Sequence, residues 1–225
     1  MNRFKKTFFI FNAFVIGFIS SNAIAQTELT PGTNAQLIVA ARQADLEGIK
    51  KSLSLGAAPN SRNRLGKTPL YFGIEKNRLD IVQLMLDSGA DINLATVEQV
   101  TPLIAAAYAG NISILDLLLS KHPKLEETDR MHKSALIYAA GMGHAQVVSH
   151  LIDAGANVNA AYIDALTPLM WAAGQGHADS VQLLIAKGAD ISLKDGRGLT
   201  ALDIAKQNKH QAVVDILLNA PRQKG

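Results

Sequence analysis

One phrase recurs at a fixed interval along this chain, and the interval limits the fold more than any other feature. Thr68 opens "TPLYFGIEKNR", Thr101 "TPLIAAAYAGN", Ser134 "SALIYAAGMGH", Thr167 "TPLMWAAGQGH" and Thr200 "TALDIAKQNKH"; each start lies 33 residues after the one before. One step back reaches Ala35, where "AQLIVAARQAD" keeps the apolar pattern without the Thr-Pro. Six units, starting near 35, 68, 101, 134, 167 and 200, run to about Pro221. A period of this length implies one supersecondary unit per repeat, stacked along an axis.

Each unit reads as two short helices. Thr is a good N-cap, and Pro is tolerated at the first helical position, where its missing N–H has no intrahelical partner to lose. An Ala-rich first helix follows ("LIAAA", "LIYAA", "LMWAA"), whose small side chains allow close approach of a neighbour. Gly110, Gly143 and Gly176 stop it as left-handed residues would. A second helix carries apolar residues at helical spacing and ends at Gly56, Gly89, Gly155 or Gly188. A polar turn leads to the next Thr. Two such helices cannot bury their apolar faces alone, so neighbouring units must stack into a solenoid.

With the closing phrases "GADIN" (Gly89–Asn93), "GANVN" (Gly155–Asn159) and "GADIS" (Gly188–Ser192), the pattern resembles the ankyrin repeat. The resemblance implies an all-α solenoid of about six 33-residue helix–turn–helix units with protruding β-hairpin-like loops, over residues 35–221. Departures carry information. Tyr71, Ile104, Ile137 and Met170 stand where the family has His after Thr-Pro-Leu, so apolar packing is expected to replace a polar tether. The loop Gly survives as Gly66 and Gly198 but becomes Gln99, His132 and Ala165, which predicts differently shaped middle loops, because left-handed backbone strains these residues. The third unit also loses its second-helix Gly, in "SKHPKLEETDRMH".

The N-terminus follows another logic. Arg3, Lys5 and Lys6 precede an apolar run from about Phe8 to Ile19, and Ala23 and Ala25 form an A-x-A site. Residues 1–25 therefore read as a cleaved signal peptide, too short in its apolar run for a spanning anchor. Residues 26–34 read as a linker and 222–225 as a tail. Removing the three basic residues leaves 19 Lys and Arg against 19 Asp and Glu, a neutral mature chain with no field for gathering nucleic acid. The absence of Cys excludes disulfides, thiolate metal sites, a Cys nucleophile and acyl anchoring. The expected compartment is the periplasm, with secretion as the alternative.

Candidate chemistry mostly dissolves into the repeat. His144, His177 and His210 share one position, but equivalent atoms of stacked units lie roughly 8–10 Å apart, too far for one zinc ion; they read as helix-start residues bonding locally. His122 and His132 flank the third loop beside Glu126, Glu127 and Asp129 and are weak metal-ligand candidates. "GKT" at 66–68 lacks the upstream Gly of a phosphate loop, since position 61 is Ser61. No hydrolase elbow, zinc-protease or EF-hand spacing occurs, and sequence leaves paired carboxylates open. Catalysis is not expected, nor any cofactor.

What remains is surface. By resemblance, partners meet the loop tips and first helices on the concave face. Loop tips are usually polar, yet here Val97, Met131, Tyr162 and Ile163, with Arg130, join Tyr108 and Met142 of the first helices. Aromatics, Met and Arg are the composition of an interface core. The expectation is a monomeric module binding another protein. Exported bacterial members that support periplasmic catalase resemble it, which implies regulation or stabilisation of an enzyme. A secreted effector binding a host protein and a metal-binding third loop are the alternatives.

Overall fold

The threonine or serine at each unit start caps a helix. Thr68, Thr101, Ser134, Thr167 and Thr200 each accept, through the side-chain oxygen, the backbone N–H three residues on, at 3.1–3.4 Å. Asp203 returns the bond to the Thr200 N–H, closing a capping box. These contacts satisfy donors that a helix start otherwise leaves orphaned, at about 1 kcal/mol each.

A computed structural model describes residues 20–221. Six helix pairs follow one another: α1 (Ser20–Gln43) with α2 (Leu46–Ser54), α3 (Pro69–Glu75) with α4 (Leu79–Asp87), α5 (Pro102–Ala109) with α6 (Ile112–Leu119), α7 (Ala135–Gly141) with α8 (Ala145–Asp153), α9 (Pro168–Gln175) with α10 (Ala178–Ala186), and α11 (Ala201–Gln207) with α12 (Gln211–Asn219). The odd-numbered helices pack in one row, α1 to α11, and α4 to α12 pack in a second. Among the described residues the only β pairing is two isolated bridges, Thr128 with Ser134 and Tyr162 with Leu166. No helix of the described residues is long and apolar enough to cross a membrane. The segment read as a linker, 26–34, is instead part of α1, continuous with the stretch whose Leu37 and Ala41 are fully buried. The leader reading falls mostly outside the described residues, and the tail reading wholly so.

The core repeats with the sequence. Leu70, Leu103, Leu136 and Leu169 of the inner row are buried, as are Ile49, Val82, Leu115, Val148, Val181 and Val214 of the outer one. Each fully buried Val, Leu or Ile contributes about 1.5–3 kcal/mol of transfer free energy. Ile104, Ile137 and Met170, in the place of the family's His, are buried too, so apolar packing does fill that position.

Left-handed backbone recurs with the same period. It appears after the second helix at Gly56, Gly89, His122, Gly155 and Gly188, so His122 takes a glycine's conformation at φ 53°. At the loop tips Gly66 and Gly198 are left-handed, and so are Gln99 (φ 62°), His132 (57°) and Ala165 (56°). The expectation of reshaped middle loops therefore fails for the second and third. Both keep the backbone and accept the strain, because side chains pin it. Asp129 accepts from the N–H groups of Met131 and Lys133, and Thr96 accepts from that of Val100. The fourth loop does change shape. Tyr162 stands where Asn63, Asp129 and Asp195 use an oxygen to bind two N–H groups. Without that acceptor the chain tightens into a 3-10 turn, Ile163–Ala165, with Asp164 also left-handed.

Side chains also link one unit to the next. Asn34, Asn60, Asn93, Glu126 and Asn159 each accept a backbone N–H from the following unit, at 2.8–3.0 Å. The ring Nε2–H groups of His144, His177 and His210 donate to the carbonyls of Tyr108, Gly141 and Gly174 in the preceding unit, at 3.1, 2.9 and 3.0 Å. These histidines begin second helices as expected, but their bonds are inter-repeat tethers and not local ones.

Candidate functional site

The loops fold over the inner row of helices, so loop and helix side chains meet on one face. Val97, Met131 and Ile163 project from successive loop tips, and Tyr108 and Met142 from the ends of α5 and α7. All five are large, apolar and 43–54% exposed. Arg130 stands among them, 57% exposed and loosely paired with Glu98 at 3.7 Å. Tyr162 differs from the other sequence candidates. It is half-buried, its ring stacks on Trp171 with centroids 6.5 Å apart, and its hydroxyl is enclosed beside the indole. Burial pushes that hydroxyl well above the usual phenol range. It forms the floor of the face more than its contact surface.

Beside these side chains lies a cluster of which the sequence candidates include only Tyr108. The Lys133 ammonium sits 4.5 Å from the centre of the Trp171 ring and 5.5 Å from that of Tyr138. Tyr108 meets Tyr138 edge-on at 5.6 Å. The Tyr138 hydroxyl donates to Asp129 at 2.6 Å, which fixes the loop to α7. Burial first, and then that bond to a carboxylate, push the Tyr138 hydroxyl upward. A cation on an indole and a phenol is worth roughly 0.5–2 kcal/mol, depending on desolvation. Trp171 is half-buried, with Nε1 enclosed beside the Tyr162 hydroxyl, and its edge lines an open hollow of about 140 Å³ with Leu166, Met170, Arg197 and Ile204. The aromatic residues at one repeat position (Phe72, Tyr138, Trp171) were the available signal, two of them facing a lysine from the adjoining loop.

Successive loop tips are bonded in a ladder. The Val97 N–H donates to Leu65 O, that of Arg130 to Glu98 O, and that of Gly196 to Asp164 O. Among the described residues no such bond joins the third loop to the fourth. The break falls where the 3-10 turn replaces the regular loop, beside Met131 and Ile163.

The third-loop metal reading is not supported by the geometry. His122 lies three residues after the end of α6 and His132 tips the loop, each occupying a left-handed backbone position. Glu126 accepts from the Asn157 N–H, Glu127 pairs with Lys124, and Asp129 is occupied by two N–H groups and a hydroxyl. Among the described residues no three His, Asp or Glu converge as metal ligands would. A larger hollow, about 400 Å³, lies on the outer row between α10 and α12, lined by Ile185, Asp215, Ile216 and Pro221. Asp215 is its single titratable group, so it offers no acid–base pair.

Comparison with known proteins agrees with the architecture. The family described as ankyrin repeats (3 copies) matches at residues 37–129, 80–162 and 136–224. The crystal structure of EF0377, an ankyrin repeat protein, superposes with a TM-score of 0.78 at 32% identity, covering 84% of this chain and 98% of that one. That of an ankyrin repeat domain from Acinetobacter baumannii AYE gives 0.75 at 31%, covering 83% and 98%. Inversin of Danio rerio is 33% identical over 79 residues, 35% of this chain and 8% of that protein. The chain spans between 8% and 34% of the length of the curated relatives it matches.

Proposed function

This chain belongs to the ankyrin-repeat family, and from that premise we propose that it is a non-catalytic module that grips another protein with its inner face. Ankyrin repeats are protein-interaction modules, and the observation that supports a contact on this face is the row of five exposed apolar side chains. Val97, Tyr108, Met131, Met142 and Ile163 stand on loop tips and helix ends, positions that solvent alone would keep polar. Arg130 supplies a charged anchor next to Met131 on the loop tip. The partner is met by a monomer in an exported compartment, the periplasm, where the module regulates or stabilises an enzyme. The support for that destination is the basic, apolar and A-x-A sequence of residues 1–25. The support for the enzyme-directed role is resemblance to exported bacterial members that sustain periplasmic catalase.

The test is a triple variant, Tyr108→Ala, Met131→Ala and Met142→Ala. All three side chains are exposed, so the helical circular dichroism and the unfolding midpoint should hold close to wild type. Interface anchors cost at least about 1–2 kcal/mol each on truncation. Proteins captured from the periplasm by wild type should therefore be retained at least tenfold less well by the variant. Equal retention would place the binding surface elsewhere.

A further inference from the structure

The repeat itself supplies an internal template for reading Lys133. Residues 67 and 133 occupy the same repeat position, one before the capping Thr68 and Ser134. Both are lysines, and both lie over aromatic rings: Lys67 over Tyr71 at 4.8 Å and Phe72 at 5.9 Å, Lys133 over Trp171 and Tyr138. They differ in their anion. Lys67 pairs with Glu75, seven residues after the capping Thr, at 2.9 Å. The residue seven after Ser134 is Gly141, which has no carboxylate to offer. Among the described residues Lys133 forms no ion pair. The nearest acid in sequence, Asp129, has its oxygens occupied by the N–H groups of Met131 and Lys133 and the Tyr138 hydroxyl. The space above Gly141 is open: a Cβ added there would meet only Trp171 Cε3, at 3.5 Å.

We propose that Lys133, seated on Trp171 and Tyr138 and facing Gly141 where its counterpart faces Glu75, receives an Asp or Glu side chain of the partner protein. This deepens the inner-face reading and rests on it. The occupant is an acidic residue between apolar ones, because exposed apolar surface adjoins the lysine: Tyr108 meets the same Tyr138 ring edge-on, and Met131 lies two residues before Lys133 on the loop tip. A free small acid would find one cation and no fit for the remainder of the face. In the bound state the partner's carboxylate takes the place that Glu75 takes beside Lys67. The aromatic floor keeps the ammonium in position and limits its hydration, which strengthens the pair.

The experiment pans a phage-displayed library of random dodecapeptides against the full chain, then measures synthetic winners by titration calorimetry and by the emission of Trp171, the single tryptophan. Two variants carry the test. Lys133→Met removes the cation. Gly141→Glu supplies the internal carboxylate of the Lys67 pair, on a helix position with room for it. Winners should carry Asp or Glu beside Leu, Ile or Phe and should shift Trp171 emission on binding. Their affinity should fall at least tenfold on each variant. Changing the peptide's acid to its amide should cost at least tenfold on wild type and nothing further on Lys133→Met, and millimolar free glutamate should not compete. Winners that bind Lys133→Met and Gly141→Glu as tightly as wild type overturn the inference. If those same peptides are lost on the Tyr108, Met131 and Met142 triple variant, the inner-face reading survives alone. If they are retained there too, both readings fall.

Discussion

At the scale of single residues, the chain shows why glycine and histidine travel together. The first helix of each unit ends in a left-handed residue, at Ala44, Asn77, Gly110, Gly143, Gly176 and Lys209. Glycine occupies the three places where the next unit supplies His144, His177 or His210. A Cβ at Gly110, Gly143 or Gly176 would lie 2.6 Å from the imidazole of that histidine. Where the next unit supplies Arg78 or Asn111 instead, Ala44 and Asn77 are accommodated, and those side chains reach Ala44 O and Asn77 Oδ1. Among the described residues no further unit is stacked on Lys209. Gly143→Ala should therefore destabilise by about 2–3 kcal/mol in urea unfolding, from left-handed strain plus the displaced His177 bond. In a His177→Ala background the same change should cost only about 1–2 kcal/mol, the strain alone. Equal costs in both backgrounds would mean that the ring is not what excludes the side chain. The period made these glycines legible as helix stops. It could not show the ring above them, because that contact joins residues 34 apart.

At the scale of elements, the helix starts were the most readable feature, since a cap is a local contact that Thr-Pro announces by itself. The exception is informative. Ser134 caps α7 with the longest bond of the set, 3.4 Å, and is followed by Ala135 where three sister units have Pro69, Pro102 and Pro168. Ser134 is extended at ψ 171°, a conformation that accepts a following proline. Ala135→Pro should stabilise by about 0.4–1 kcal/mol through the unfolded chain, read as a raised urea midpoint with unchanged slope. Loops were less readable, because their backbone is set by whichever side chain reaches two N–H groups. Asp129 preserves the regular turn despite His132, and Tyr162 forfeits it. The same two elements set an alkaline limit. The Tyr138 and Tyr162 hydroxyls are both held protonated beyond the ordinary range, chiefly by burial. Above pH ~10 the unfolded chain loses these protons first, so it binds fewer than the folded one. The stabilisation is complete below that pH and is lost as pH rises toward the folded values. Unfolding midpoints should fall above pH 10 in wild type, and a Tyr138→Phe, Tyr162→Phe double variant should fall less steeply; parallel curves would refute the assignment.

At the scale of the molecule, every link described is between neighbours, from the asparagine acceptors through the histidine tethers to the contact of Asp116 with His150 and the ion pair of Asp153 with Lys187. This nearest-neighbour economy explains the division between what sequence reveals and what it hides. The stack follows from any one unit repeated. The proposed binding face depends on how residues from three consecutive units, such as Asp129, Tyr138 and Trp171, converge, and no single period contains them. It also means that the position of a defect along the stack decides its reach. Leu136 and Leu217 are both buried, and truncation of either to Ala should cost about 2–5 kcal/mol locally. Leu136 lies in α7, with units on both sides, so Leu136→Ala should lower the unfolding midpoint of the whole stack. Leu217 lies in α12, the last helix of the described residues, so Leu217→Ala should loosen α11 and α12 while the units before them hold. Hydrogen exchange separates the two outcomes. In Leu217→Ala, amides of 201–219 should exchange faster while those of α3 to α8 keep wild-type protection. Uniform acceleration along the chain would show that the units unfold only together, and that coupling across the α9–α11 and α10–α12 contacts exceeds the cost of the cavity.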